Sequence, residues 1–155
     1  ESRILSMALV HQKLYESNDL SQIELKSYIK DLFRFIECYE INKPKIIIDI
    51  QENIMLDVEM AVPIGLIVSE LIIDSQKHAF KDTPNPSILF KSSFKKNQIM
   101  IDYSDNGCGL SDDFSLDKSG QLGLKMAKNI AENQLKGTFE ILSKSGFLCR
   151  LSFIP

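Results

Sequence analysis

The chain contains the sequence QIMIDYSDNGCGL at residues 98–110, in which a strand pattern leads into a turn with two glycines. The alternating apolar residues of its first half predict a half-buried strand. Asp105 follows, and its carboxylate can accept hydrogen bonds from a planar donor such as a purine amino group. Gly107 and Gly109 allow unusual dihedral angles and a close approach to a flat ligand. An ordinary Asn-Gly turn has the same pattern, so a nucleotide pocket requires further walls from elsewhere in the chain.

The composition is that of a soluble globular protein, and the length fits one domain with room for an appended helix. Of the 155 residues, 44% are apolar and 25% are charged, and the net charge of -3 gives no reason to expect nucleic acid or a membrane as partner. Cys38, Cys108 and Cys149 are widely and irregularly spaced, which favours reduced thiols in the cytoplasm over disulfides or a zinc site. A chain that begins at Glu1 without Met is expected to be part of a longer protein.

Periodicity and turn residues predict an α/β (α+β) two-layer sandwich. Its mixed, mostly antiparallel sheet would carry helices on one face and follow an N-terminal helix. Ser21 and Glu24 form a capping-box pattern for the second helix, and Pro63 suits the first turn of the third. Residues 111–120 are rich in Ser, Asp and Gly, and this composition predicts a mobile loop. The predicted elements are helices 2–16 and 23–39, strands 45–51 and 54–58, helix 63–80, strands 88–94 and 98–104, helix 121–134, and strands 137–143 and 147–153.

The predicted helix 63–80 carries ionisable residues on one side. Glu70, Asp74, Lys77 and His78 are three or four residues apart, so they share a face. Most charged helical faces are simply solvated, and that interpretation remains the alternative. The concentration of these side chains on the most apolar helix of the chain favours the border of a cleft instead.

A third segment, SGQLGL at residues 119–124, follows the predicted loop and opens a helix. Backbone amides at a helix N-terminus, with glycine to permit close approach, form a phosphate cradle. The segment matches neither a P-loop nor the G-x-G-x-x-G pattern of dinucleotide-binding folds. On its own it is therefore a weak signal.

Together, in this order, the three segments resemble the motifs of sensor histidine kinases. Residues 62–80 resemble the N box, residues 105–110 the first glycine box and residues 120–124 the second. Residues 3–15, followed by 19–21, resemble the second dimerisation helix of the HisKA_2 subgroup. The resemblance covers nearly the whole chain.

The resemblance implies the GHKL, or Bergerat, ATP-binding fold that gyrase and MutL-type ATPases share. Residues 1–20 would be the C-terminal part of a dimerisation hairpin, and residues 21–155 the catalytic domain. The implied activity is transfer of the ATP γ-phosphoryl group to a histidine in a two-component signal transduction system. ATP and Mg²⁺ are the implied cofactors, with a response regulator as partner of a homodimeric parent protein whose membrane attachment stays open.

For the adenine end of the pocket, the resemblance implies that Asp105 binds the base amino group. Gly107, Gly109 and Leu110 would lie beside the base. Ala79 would help to line the purine slot.

For the phosphate end, the resemblance implies a metal ligand and a catalytic acid. Asp74 occupies the position of an Asn that binds Mg²⁺, and a carboxylate oxygen is a hard ligand that this ion accepts. Glu70 matches the acid that orients or deprotonates the attacking group, under a lid formed by residues 111–121. The other implied nucleotide-binding residues are Lys77, His78, Gly120, Leu122, Gly123 and Leu124.

Some positions depart from the family pattern. Asp74 replaces Asn, and Ser69 replaces a second Asn. The sequence contains no His-Arg-Val-Lys-Asn-Asn-like acceptor segment, and His11 matches a histidine of the second helix, so we interpret His11 as a packing or surface residue. No self-phosphorylation is expected without the acceptor helix. Two alternatives remain: a catalytically weakened nucleotide-binding module, and a GHKL-type ATPase, against which the dimerisation-helix pattern at residues 8–15 argues.

Overall fold

The computed structural model describes residues 2–16, 21–37, 43–116, 122–143 and 146–155. Its elements follow one another in the predicted order, with one additional short strand near the start. They are α1 (Ser2–Glu16), β1 (Gln22–Glu24), α2 (Leu25–Glu37), β2 (Lys45–Ile50), β3 (Met55–Asp57), α3 (Val58–Asp74), a π-helical turn (Ser75–Ala79), β4 (Ser87–Lys95), β5 (Gln98–Asp105), α4 (Leu122–Asn133), β6 (Thr138–Ser143) and β7 (Phe147–Phe153). None of the described helices is both long and apolar enough to cross a membrane.

The main sheet has five strands in the order β2-β4-β5-β7-β6. Strands β2 and β4 are parallel, and every other neighbouring pair is antiparallel. Along β5 and β7 every second residue is buried, from Ile99 to Asp105 and from Phe147 to Phe153. This alternation means that one face of the sheet is covered, and the predicted mixed, mostly antiparallel two-layer fold is confirmed.

Charged side chains cross the other face of the sheet in one row. Strand registry aligns five residues of alternating charge, one from each strand: Asp49, Lys91, Asp102, Arg150 and Glu140. The Arg150 guanidinium donates two hydrogen bonds of 2.7 Å to the Asp102 carboxylate. Opposite charges on neighbouring strands suit a solvated face, so the helices lie on one side only.

Helix α3 is the centre of the helical layer and contacts α1, α2 and α4. It is therefore buried on most of its circumference, from Ala61 to Ile72. Leu9 and Val10 of α1 belong to the same hydrophobic core. The predicted N-terminal helix thus packs directly on the domain that follows it, while the predicted division at residue 20 stays a prediction.

The predicted start of the second helix is wrong. Helix α2 begins at Leu25, because the preceding residues pair as β1 with β3, with Ile23 opposite Leu56. Glu24 is therefore a strand residue, so Ser21 and Glu24 both precede the helix and Ser21 is not its N-cap. The predicted end at residue 39 lies outside the described residues.

The predicted start of the third helix is also wrong. Helix α3 begins at Val58, directly after β3, and Pro63 is a buried residue inside it rather than a first-turn residue. Pro63 has no N–H to donate to the carbonyl of Glu59, which weakens a helix interior, but the surrounding core holds the segment in place. The remaining predicted elements agree with the structure to within one residue at their described ends.

Candidate functional site

A cavity of about 240 Å³ lies between the end of α3, the loop after β5, and α4. It brings together the three segments that the sequence motifs identified. Predicted site residues in its lining are Asp74, His78, Ala79, Asp105, Gly109, Leu110 and Leu124. The remaining lining residues are Leu71, Ser75, Cys108 and Phe147.

Asp105 lies at the floor of this cavity, at the end of β5, and is buried. Its Oδ1 accepts a hydrogen bond of 2.9 Å from the Gly107 N–H, and its Oδ2 accepts one of 2.6 Å from the Ser75 hydroxyl. These two hydrogen bonds hold the side chain in one orientation. Because each carboxylate oxygen has two lone pairs, Asp105 can still accept a hydrogen bond from a ligand.

Gly107 and Gly109 are glycines for different reasons. Gly109 has a φ of +72°, the left-handed region that glycine adopts without a steric penalty. At Gly107 a Cβ would lie 2.3 Å from the Ala79 Cβ, so this residue is small because it touches the end of the π-helical turn. The Cys108 N–H donates to the Ala79 carbonyl at 3.0 Å. Gly107 lines a neighbouring pocket on the other side of Ala79, and it is not among the described residues that line the cavity of about 240 Å³.

Two acids meet the first turn of α4. A Cβ at Gly123 would lie 3.0 Å from Asp74 Oδ2 and 3.2 Å from Glu70 Oε2, so the helix start lies directly against both carboxylates. Burial raises the pKa of Asp74, the Glu70 charge raises it further, and His78 and Lys77 oppose that shift. Asp74 Oδ2 is buried without a hydrogen-bond partner among the described residues.

The Asp74 carboxylate fits a hard divalent cation. A buried oxygen with no donor requires a partner, and Mg²⁺ accepts one or two carboxylates while phosphates and water complete its coordination. The described residues contain no cluster of three or more His, Cys, Asp or Glu that could hold a metal by themselves. A nucleotide would therefore have to supply the remaining ligands.

The other predicted site residues lie away from the cavity or at its edge. Lys77 and Leu122 are exposed, and neither lines the cavity. Gly120 and residues 117–121 of the predicted lid lie outside the described residues. In residues 111–116 the Phe114 N–H donates to the Ser111 carbonyl at 2.9 Å. The nucleotide-binding roles of all these residues stay predictions.

Sequence comparisons agree with the motifs. The HisKA_2 family model, described as histidine kinase, matches residues 1–38. The sensor histidine kinase PdtaS of Mycobacterium tuberculosis is 27% identical over 138 residues, which cover 88% of this chain and 27% of that protein. Blue-light-activated histidine kinase 2 of Erythrobacter litoralis is 28% identical over 82 residues, 52% of this chain and 24% of that protein.

The chain is similar to histidine kinases of the HisKA_2 family. The predicted resemblance is therefore confirmed. The chain spans about a quarter of the length of the curated proteins that it matches.

Solved structures share its fold. The histidine kinase domain of the Erythrobacter litoralis EL346 blue-light activated histidine kinase superposes with a TM-score of 0.82 at 21% identity, covering 98% of this chain and 72% of that one. The catalytic domain of the histidine kinase ThkA gives 0.69 at 15% identity, covering 86% and 95%. The chain therefore has the fold of histidine kinase catalytic domains.

The sequence motifs missed several residues of the cavity. Ser75 carried a usable signal, because it lies four residues after Leu71 and four before Ala79, and is thus a polar residue on a buried helical stripe. Phe147 carried none. It faces the cavity because β7 pairs it with Asp105, and that registry depends on the whole sheet.

Proposed function

We propose that this chain is the ATP-binding catalytic domain of a sensor histidine kinase, joined to its second dimerisation helix. It transfers the γ-phosphoryl group of ATP to a histidine on a dimerisation helix outside these residues. The main support is Asp105, a buried carboxylate at the floor of a cavity of about 240 Å³, held in one orientation by Gly107 and Ser75.

At the adenine end, Asp105 accepts a hydrogen bond from the 6-amino group of the base. Ala79 and Leu110 supply apolar walls on which the flat ring packs. The left-handed backbone of Gly109 keeps the loop close to the base without a side chain in the way.

At the phosphate end, Asp74 would hold Mg²⁺, with Glu70 beside it. The chemistry that Mg²⁺ would supply there is neutralisation of charge on the phosphate oxygens. The amides of Leu122, Gly123 and Leu124 at the start of α4 donate to the phosphates, because the positive end of a helix favours anions. His78 and Lys77 add positive charge, and Glu70 orients or deprotonates the acceptor imidazole.

Helix α1 presents an exposed stripe that suits a dimerisation hairpin. Ile4 is 76% exposed, Met7 59% and Tyr15 79%, and all lie on one helical face with His11. The rings of His11 and Tyr15 are 5.6 Å apart, which agrees with a packing role for His11. We propose that this face packs on the helix that carries the acceptor histidine, within a homodimeric parent protein that passes the phosphoryl group to a response regulator.

We also propose that the chain works in the reducing environment of the cytoplasm. The free thiols of Cys108 and Cys149 support this location.

The kinase activity is tested by mixing this chain and Mg-ATP with a fragment that carries the first dimerisation helix of the parent. Labelled phosphohistidine, stable to base and lost in acid, is the expected product.

Asp105→Ala is expected to lose nucleotide affinity by about 10- to 100-fold, because a charge-assisted hydrogen bond is removed. Glu70→Gln is expected to keep ATP binding and to lower transfer by about a hundredfold. ATP binding without any transfer would refute the kinase proposal.

A second candidate function is a catalytically weakened nucleotide-binding module. It is favoured by Asp74, a desolvated carboxylate beside Glu70 where the family has an uncharged Asn. If Asp74→Asn gave a large gain in transfer, the extra charge would be the cause of weak activity. Steady ATP hydrolysis without an acceptor would instead favour the GHKL-type ATPase.

A further inference from the structure

Three buried side chains form a hydrogen-bonded relay beneath the cavity. The Tyr103 hydroxyl lies 2.8 Å from Ser75 Oγ, and Ser75 Oγ lies 2.6 Å from Asp105 Oδ2. Tyr103 is 0% exposed, Ser75 3% and Asp105 8%. Asp105 faces the cavity from one end of the relay, whereas Tyr103 lies on the same strand two residues earlier, under the helical layer.

The chemistry of the three groups decides the direction of the relay. The Asp105 carboxylate only accepts, so the single Ser75 proton is donated to Oδ2. Ser75 Oγ then accepts from Tyr103, which keeps its proton because burial raises the pKa of its phenol. The Tyr103 hydroxyl also lies 3.2 Å from the Leu71 carbonyl, a second acceptor that holds it in place.

The Gly107 N–H donates to the other oxygen, Asp105 Oδ1, at 2.9 Å. Ser75 and Gly107, the two described donors, both belong to the protein, and Asp105 itself lines the cavity, so its remaining lone pairs are available there as acceptors. An acceptor pairs with the 6-amino group of adenine, whereas the 6-oxo group of guanine or hypoxanthine is itself an acceptor and would be left unpaired.

We propose that Ser75 and Tyr103 are positioning residues that set the purine specificity of the site, so that a 6-amino purine is taken and a 6-oxo purine is rejected. This inference rests on the proposed nucleotide-binding function. Tyr103 does not line the cavity, and Ser75 borders it but donates its single proton to Asp105. Both act through Asp105, because a carboxylate without its donors can rotate and bind water instead of presenting one fixed acceptor.

The test compares dissociation constants for ATP and ITP, two nucleotides that differ at position 6 of the base. Wild type is expected to prefer ATP strongly. In Ser75→Ala the ATP affinity should fall about tenfold while the ITP affinity changes little, so the preference narrows by the same factor. Tyr103→Phe keeps the ring volume and should narrow the preference about threefold, since Ser75 loses its donor.

Ser92→Ala is the matched control. Ser92 is another buried serine, on β4 away from the cavity, and its Oγ has no hydrogen-bond partner among the described residues. Its removal should leave both affinities unchanged. Thermal unfolding of each variant checks that the fold is retained, and Tyr103→Phe remains informative if Ser75→Ala does not fold.

The outcomes separate this inference from the proposed function. If wild type binds neither ATP nor ITP, both proposals fail. If wild type prefers ATP and the preference is unchanged in Ser75→Ala and Tyr103→Phe, the nucleotide site stands and the positioning role is refuted. A variant that weakens ATP and ITP equally has only a structural effect, and that result also overturns the inference.

Discussion

Gly107 lies against Ala79 so closely that a Cβ on the glycine would be 2.3 Å from the alanine Cβ and 2.5 Å from its carbonyl oxygen. The neighbouring Cys108 N–H donates to the same carbonyl at 3.0 Å. This contact joins the loop after β5 to the end of the π-helical turn, two segments that both line the cavity. The proposed adenine end of the site therefore depends on one close backbone contact.

Replacement of Gly107 by Ala should disturb this contact, because the obstructing atoms belong to backbone and to a short side chain that cannot move aside. We expect the free energy of unfolding to fall by about 1–3 kcal/mol and ATP affinity to fall at least about tenfold. Urea unfolding and nucleotide titration measure the two effects.

Gly137→Ala is the control, since its Cβ would lie 2.2 Å from the Ser152 carbonyl oxygen, away from the cavity. It should lose stability but keep its ATP affinity, and unchanged binding in Gly107→Ala would contradict the prediction.

Asp74→Asn should change how stability depends on pH in metal-free buffer. Because burial raises the pKa of Asp74, the native state holds this proton more tightly than the unfolded state does. The stability that the protonated group contributes is complete below its ordinary value of 3.8 and is lost as the pH rises through the raised native value. The Asn variant lacks this loss, so it should be more stable than wild type at neutral pH and equal to it below the window. Chemical unfolding between pH 3 and pH 7, in the presence of a chelator, measures the difference. An advantage that stayed constant over this range would show that Asp74 does not cause it.

Cys108 should report occupation of the cavity. Its thiol is exposed and lines the cavity, 3.4 Å from the His78 carbonyl oxygen, whereas Cys149 is buried. We expect saturating Mg-ATP to slow alkylation of Cys108 by iodoacetamide about tenfold, an effect that mass spectrometry of the Cys108 peptide measures. Cys149 should stay unmodified in either case, because burial raises the pKa of its thiol. Equal alkylation rates with and without ATP would argue against binding next to Cys108.

Leu9→Ala should destabilise the whole domain rather than α1 alone. Leu9 is buried in the core that α1 shares with α3. Replacing a buried leucine by alanine lowers the free energy of unfolding by about 2–5 kcal/mol. Ile4→Ala, on the exposed side of the same helix, should change the free energy of unfolding by less than about 0.5 kcal/mol. Both variants are compared by urea unfolding. A separate early transition for α1 in wild type, with the main transition unaffected by Leu9→Ala, would show that residues 1–20 form an independent unit.

The amino-acid sequence by itself determined the order of elements and the three segments of the site. Strands β5 and β7 alternate apolar and polar residues, and α4 has helical periodicity, so these elements could be predicted from local patterns. The likeness to histidine kinases came from the motifs in the same way, because their order along the chain is a property of the sequence.

Only the tertiary structure decided where two helices begin and what touches Asp105. Helix α2 starts late because β1 pairs with β3, and α3 starts five residues before Pro63 because β3 leads directly into it. The contacts of Asp105 with Ser75 and Phe147 join residues about 30 and 40 positions apart in the sequence. Periodicity records which side of an element is buried, but it does not record which residue of a distant element lies opposite. That is decided by the packing of the helices on the sheet.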